Sequence, residues 1–336
     1  MLSRVADDLF WLSRYLERAI STVRLIDVTW HLELDVAEEA EADLWAPVLG
    51  YAAGELQVHV PGRVGTSSQA VRRYLGLDPG NPNSLVSCIA SARAAARGVR
   101  ESISSEMWEQ LNTLYLSLVD PRLSAQAEAD PHGFYRRVRD GAQFFQGLAD
   151  STLAHDEPWH FFCLGKYLER ADDVTRILNL QTHLLRDERD RDEDTLRWLA
   201  VLRSCGSAEA YARYYSLRVD PARAIEFLLL NPVFPQSVRF SLGAAANALA
   251  AIAEPRQRRG EPPSPAVRAL GLLYAELEHA AVDEVLEQGF PEFLADVQRR
   301  IVTVCEHVTA AYLRDEPRAG RLVASARAAM IMAAQQ

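Results

Sequence analysis

Cysteine is scarce in this chain and never clustered. Four thiols, Cys88, Cys163, Cys205 and Cys305, are scattered over 336 residues with no C-x-x-C pair. A disulfide or zinc framework is therefore not expected, and the thiols read as reduced and mostly buried in a cytosolic protein. Long hydrophobic runs are also missing. No segment reaches the ~20 continuous apolar residues of a membrane-spanning helix. The N-terminus carries Arg4, Asp7 and Asp8 where a secretory signal needs an apolar stretch. Positive charge is in deficit, with 36 Lys and Arg against 46 Asp and Glu for a net −10. That balance argues against a nucleic-acid partner, whose backbone is held by clustered Lys and Arg. The densest basic run, Arg256, Arg258 and Arg259, lies in a Pro-rich loop and is too short to change this. Glycine-rich phosphate loops are absent: there is no G-x-x-x-x-G-K-[ST], no G-x-G-x-x-G and no G-x-S-x-G. The chain by itself has no evident means of using ATP, and no nucleophile elbow. Strand signals reduce to Leu56–Val60, which alternates but has nothing to pair with, so it reads as loop or helix end.

What is present is helix. About half the residues are apolar, which suits a globular chain with a large core. Leu12, Leu16, Ala19, Val23 and Ile26 follow the spacing of one helical face. Leu85–Leu118 is rich in Ala, Arg, Glu and Leu, with weak points at Gly98 and Ser104-Ser105. Gly and Pro punctuate the rest as helix stops, at Pro61–Gly65, Gly76–Pro82, Asp120-Pro121, Asp130–Gly133, Asp220-Pro221, Pro255–Pro265 and Gly289–Pro291. Asp156-Glu157-Pro158 ahead of Trp159 reads as a helix start. Arg186–Asp194 reads as a solvated helix end and linker, and Arg321–Gln336 as one more helix.

One word occurs twice: Tyr-Leu-Glu-Arg-Ala stands at 15–19 and again at 167–171. Sliding the chain by 152 aligns Phe10–His31 with Phe162–His183, and nine of those 22 positions are identical. Trp45 lines up with Trp198, and Pro82-Asn83-Ser84-Leu85 with Pro235-Gln236-Ser237-Val238. An internal duplication accounts for this most simply. The expectation is an all-α, internally duplicated helical bundle with two halves of about five helices each. The first half spans 1–154 and the second 155–316, with a helical tail at 317–336. The leading helices of the halves are expected to pair about a pseudo-twofold axis.

Residues seven apart nearly eclipse on a helix. Glu17, Arg24 and His31 are spaced by seven and seven, as are Glu169, Arg176 and His183. Each copy thus presents a carboxylate, a guanidinium and an imidazole in one row. Arg14, or Lys166 in the second copy, lies one turn back and can reach the carboxylate at i+3. Arg18 and Arg170 point about 100° away from the row. Trp11, Leu16, Ile20 and Leu25 do not share one face, so the helix reads as central and part of the row as buried. Three readings stay open. The pairs lock helix to helix, matched and hydrogen-bonded against desolvation. Alternatively, Glu17, Arg18, Glu169 and Arg170 line a cleft between the copies, where the cations clamp a carboxylate or phosphate and a glutamate acts as base. A third reading leaves the row as a solvated surface.

Weaker candidates follow. His155 and His160, with Asp156 and Glu157, have the wrong spacing for one face of a metal site, and no metal or cofactor is expected. Arg93, Arg97 and Arg100 form a solvated helix face or a basic wall. Asn83-Ser84 and Gln236-Ser237 read as helix caps.

Met1-Leu2-Ser3-Arg4-Val5-Ala6-Asp7, Phe10-Trp11 and Arg14–Ala19 resemble the opening of the alpha-E family of bacterial helical proteins. Trp159-His160-Phe161 with Leu164–Asp172 resembles its second Glu-Arg word, and Phe227–Pro232 with Phe234-Pro235 and Ser237-Val238 also fits. One departure stands out. Where the family usually has Arg-Glu-Asn-Ala-Arg, this chain has Arg93-Ala94-Ala95-Ala96-Arg97, which removes a carboxylate and an amide. The resemblance implies a chain encoded beside, or fused to, a circularly permuted ATP-grasp protein, often with a transglutaminase-like protein. Such sets are thought to make or modify a peptide by ATP-dependent amide-bond formation.

Three functions compete on these grounds. The leading one is a non-ATPase component of a peptide-ligation system that binds a carboxylate-bearing or peptidyl substrate, or the partner enzyme. Arg14, Glu17, Arg18, Arg24, His31, Lys166, Glu169, Arg170, Arg176 and His183 are its binding residues. The second is an enzyme using Glu17 or Glu169 as general base. Burial favours such a base, whereas neighbouring guanidiniums work against it. The third is a helical scaffold whose charged rows only set register.

Overall fold

The apolar positions at the N-terminus open a helix far longer than one amphipathic face requires. The computed structural model describes residues 1–34, 41–53, 67–120, 122–180, 191–216 and 218–313. Its first helix, α1 (Ser3–Glu33), runs 31 residues, about 46 Å at 1.5 Å per residue. Leu9, Phe10, Leu12, Leu16, Ala19 and Ile26 are fully buried, and they point in several directions around the axis. A helix apolar all round belongs at the centre of its unit. Burying each of these larger side chains stabilises by roughly 1.5–3 kcal/mol.

Helices follow as α2 (Glu41–Ala53), α3 (Ser68–Gly76), α4 (Leu85–Gly98), α5 (Ser105–Leu118), α6 (Leu123–Ala129), α7 (Pro131–Thr152) and α8 (Glu157–Asn179). Beyond them come α9 (Arg191–Ser204), α10 (Ala208–Tyr214), α11 (Pro221–Leu230), α12 (Val238–Arg258), α13 (Pro265–His279) and α14 (Val282–Tyr312). The chain is all-α, with no strand among the described residues. The described helices number fourteen, so about five per half was too few. The surplus includes seven-residue pieces, α6 and α10, in stretches where the sequence assigned no element. Leu56–Val60 and the 317–336 tail lie outside the described residues.

Several stops turn out to be starts. Asp130 caps α7, accepting from the Gly133 N–H at 2.9 Å with Pro131 in the first turn. Asp220 does the same for α11 through the Arg223 N–H at 3.0 Å. Pro can take the first turn because its missing N–H has no partner there anyway. Ser104 caps α5 and Ser264 caps α13. The stretch Pro255–Pro265 does hold a stop, since α12 ends at Arg258 and α13 begins at Pro265, with Pro255 itself exposed in the last turn of α12. Gly289 interrupts α14 as a stop would: its φ of 107°, a region that only glycine enters readily, breaks the helical backbone and leaves two helical pieces joined at a kink.

Two compact units result, Met1–Phe162 with Tyr312, and Cys163–Ala311, and the boundary falls inside α8. In the first, α4 and α7 pack along α1, α5 packs against both, and α2 and α3 cover one end. Phe145 of α7 meets Phe162 at 6.3 Å between ring centroids. In the second, α12 pairs with α13, and α11 packs on α9, α12 and α13. Trp45 and Trp198 are completely enclosed in their respective units.

Gly98 shows how closely α4 approaches α1. A Cβ there would lie 2.4 Å from the Asp8 Oδ2 oxygen, and Asp8 is short and buried. Alanine gains about 1 kcal/mol of helix propensity over glycine, but a collision of this kind costs about 1–3 kcal/mol. We expect Gly98→Ala to be net destabilising in a urea melt. A stabilised variant would mean that α4 approaches α1 less closely than described.

Candidate functional site

Five charged side chains of α1 are buried: Asp7, Asp8, Arg14, Glu17 and Arg18. Each desolvated charge is tolerable only where matched by partners. Glu17 is 1 % exposed, and its Oε2 accepts a 2.6 Å hydrogen bond from the Gln146 amide of α7. Arg18 donates to Asn83 Oδ1 at 3.0 Å. Asn83 in turn donates its N–H to Asn81 Oδ1 at 3.0 Å, and Asn81 Nδ2 donates to the Tyr74 carbonyl at 3.1 Å. The motif arginine is thus anchored in the loop that leads into α4. Arg14 lies over the Trp11 ring at 5.0 Å from its centroid. A guanidinium stacked on an aromatic face keeps favourable electrostatics after losing water.

The second word is built alike within its own unit. Glu169 is 1 % exposed and Arg170 is buried, together with Asp172 and Asp173. Arg170 donates to the Pro235 carbonyl at 3.1 Å and lies over Tyr167 at 5.4 Å. Arg18 and Arg170 each reach 65 residues ahead, to the segment preceding a serine-capped helix. Ser84 accepts from the Ser87 N–H at 3.3 Å, and Ser237 from the Phe240 N–H at 3.0 Å. Capping is therefore real at both serines, but the residues before them also receive the motif arginines.

The row along α1 runs from interior to surface. Glu17 is buried, Arg24 half-buried and His31 exposed. On α8, Glu169 is buried, while Lys166 and Arg176 are half-buried, with Arg176 Nε 2.7 Å from Asp172 Oδ2. His183 lies outside the described residues. His31 stands beside two groups that the sequence did not single out. Its Nδ1 is 3.6 Å from Asp27 Oδ1, one turn back, and His132 Nδ1 of α7 is 2.9 Å from the same oxygen. The i,i+4 spacing of Asp27 and His31 was visible in the sequence. His132 stands 105 residues from Asp27, and no local signal links them.

A polar cluster continues from there. Glu33 Oε2 accepts from Ser68 Oγ at 2.6 Å and from Trp45 Nε1 at 3.2 Å, while Arg72 Nε donates to Ser68 Oγ at 3.0 Å. The Tyr135 phenol, hydrogen-bonded to Arg72, is pushed up to about 12, chiefly by burial and further by the Asp27 and Glu33 carboxylates.

Other candidates are structural. His155 stacks flat on Trp159, 4.3 Å between centroids. Arg93 donates to Asn112 Oδ1 at 2.8 Å and lies 4.4 Å over Tyr115, while Arg100 covers Trp108. Arg93 and Arg100 therefore pin α4 to α5, and Arg97 is exposed.

These features define a class: an all-helical protein built around buried Glu-Arg motifs. The chain belongs to the Alpha-E family, described as a predicted alpha-helical domain with a conserved ER motif, which matches residues 1–313. Uncharacterized proteins of Mycobacterium bovis and Mycobacterium tuberculosis are 26 % identical to it over 261 residues. That alignment takes in 71 % of this chain but 28 % of the relatives, so the chain spans under a third of their length. No solved structure matches it. No helix among the described residues is long and apolar enough to cross a membrane.

Proposed function

We propose that this chain is the non-ATPase component of an ATP-grasp-dependent peptide synthesis or modification system, serving as a helical binding partner and not as a catalyst. The burial of both motif glutamates carries the second half of that reading. A general base must reach its proton within one hydrogen bond or through one water. Glu17 and Glu169 are each 1 % exposed, and the Gln146 amide already occupies Glu17 Oε2. Their arginine neighbours are likewise taken up, by Asn83 and by the Pro235 carbonyl. The buried pairs then hold the helices in register, which absorbs the scaffold reading into this one. Contact with a substrate carboxylate or a partner falls to the outward ends of the rows, Arg24 and His31 in one unit and Lys166 and Arg176 in the other.

The association with an ATP-grasp enzyme is supported by the family and by the lack of any phosphate-cradling motif in the chain. The test is a titration of the cognate ATP-grasp protein's ATP turnover with this chain. Turnover is expected to change and to level off at equimolar chain. Arg24→Ala is expected to weaken that response, and its unfolding midpoint shows whether the variant is folded. An ATP-grasp turnover indifferent to the chain would end this reading.

A further inference from the structure

We propose that Asp27, His31 and His132 form a binding site for a divalent first-row transition metal, with coordination positions left open to water or a small anion. The inference does not depend on the partner system above. Among the described residues, this is the set of His, Cys, Asp and Glu side chains whose donor atoms converge, all within 4.8 Å of one another.

The geometry fits an ion. Two ligands bonded to a metal at about 2.1 Å stand about 3.0–3.4 Å apart for octahedral to tetrahedral angles. The contacts to Asp27 Oδ1, 2.9 Å from His132 Nδ1 and 3.6 Å from His31 Nδ1, straddle that range. The histidine rings meet edge to face with centroids 5.2 Å apart, an arrangement that lets two imidazoles address one point without stacking. A cation there takes the place of the proton that His132 shares with Asp27. His31 Nδ1 donates to the Asp27 carbonyl at 2.7 Å, a bond that it exchanges for the metal on binding, with its proton moving to Nε2. Trp30 packs edge-on against the ring at 5.0 Å.

The donor set selects the metal class. Two imidazoles and one carboxylate suit zinc, cobalt, iron or manganese better than magnesium or calcium, which prefer oxygen. Three protein ligands are the number found in sites that keep a position for water or substrate. The exposures agree, since Asp27 is mostly covered while the His31 and His132 side chains are about half open. The scaffold is rigid where it needs to be: Asp27 and His31 ride on the central helix, and His132 sits in the first turn of α7, held by the Asp130 cap. Arg72 lies in the polar cluster beside the site, hydrogen-bonded to Tyr135 and Ser68.

The experiment is calorimetric titration of the chelator-treated full chain with Zn2+ and with Co2+, the latter also followed by visible absorption. Wild type is expected to bind either ion saturably, with the cobalt band intensifying as water ligands are replaced. Binding to the folded state alone will also raise the thermal unfolding midpoint. His31→Gln, His132→Gln and Asp27→Asn are each expected to weaken binding by at least ~10-fold. His155→Gln, off the cluster, is the control and should bind as wild type does. Unfolding midpoints without added metal show whether each variant is folded, and half-exposed histidines are expected to tolerate replacement. Failure of wild type to bind either ion saturably would overturn the proposal. So would undiminished affinity in the folded His31 and His132 variants, or a loss in His155→Gln as large as theirs.

Discussion

Replacing Glu17 with alanine is expected to lower the stability of the unit that contains it by about 3–5 kcal/mol, the range for breaking a buried ion set by removing one partner. The mutation deletes the acceptor of a 2.6 Å bond from Gln146 and removes one acid from a helix that also buries Arg14 and Arg18. The guanidiniums left behind cannot recover water without opening the packing of α1 against α4 and α7. Glu169→Ala is expected to act on the same scale in the second unit, where Arg170 is similarly enclosed. Urea unfolding reads the effect directly: with a slope of about 3 kcal/mol per molar, the midpoint should fall by about 1 M or more. Because the chain has two compact units, each variant should move the transition of its own unit, and a single two-state fit is the wrong description. Glu17→Gln keeps the shape and one acceptor oxygen, so its loss should be smaller. Unchanged midpoints in both alanine variants would remove the structural role and return the glutamates to candidacy as ligand-facing groups.

High pH should unfasten the end of α1 through Tyr135. Its phenol in the folded protein is pushed up to about 12 from an ordinary 10.0, with burial as the largest cause. A raised folded-state pKa means that the folded chain holds its proton longer than the unfolded one. The associated stability is therefore complete below pH 10 and is lost as pH rises towards 12. A rise of that size corresponds to about 3 kcal/mol. Tyr135→Phe has no proton to lose, so it should be less sensitive to alkali than wild type by about that amount. It should also start slightly less stable, by about 1 kcal/mol, because Arg72 loses its phenol partner. Urea midpoints of both proteins at about pH 9 and about pH 12 give the comparison, and equal alkaline losses would show that the phenol is freely solvated.

The sequence made the helices legible because their signals are local. Apolar spacing around Leu12, Leu16 and Val23, the breaks at Gly98 and Ser104, and the start at Glu157 all act within a few turns. Misreadings arose where one residue carries two meanings. Pro131 and Pro221 begin helices behind an aspartate cap. The Glu-Arg words were found, and their burial followed from the apolar residues on every side of the helix. Seven-residue spacing placed Glu17, Arg24 and His31 in one row but could not reveal its gradient. That gradient depends on where α4 and α7 cover α1. Asn83 read as part of a cap because its bond to Arg18 spans 65 residues. His132 was passed over for the same reason.

That separation has a consequence for the order in which the protein can assemble. During synthesis α1 leaves the ribosome with its charges hydrated, and the acceptor for Arg18 follows 65 residues later. The amide for Glu17 follows 129 residues later, so at translation speeds of about 5–20 residues per second the wait is roughly 6–26 s. Throughout that interval a helix with apolar residues on several sides lacks partners that these two charges meet in the folded unit. Its charges thus disfavour premature collapse, and α1 completes its pairing only once α7 has been made.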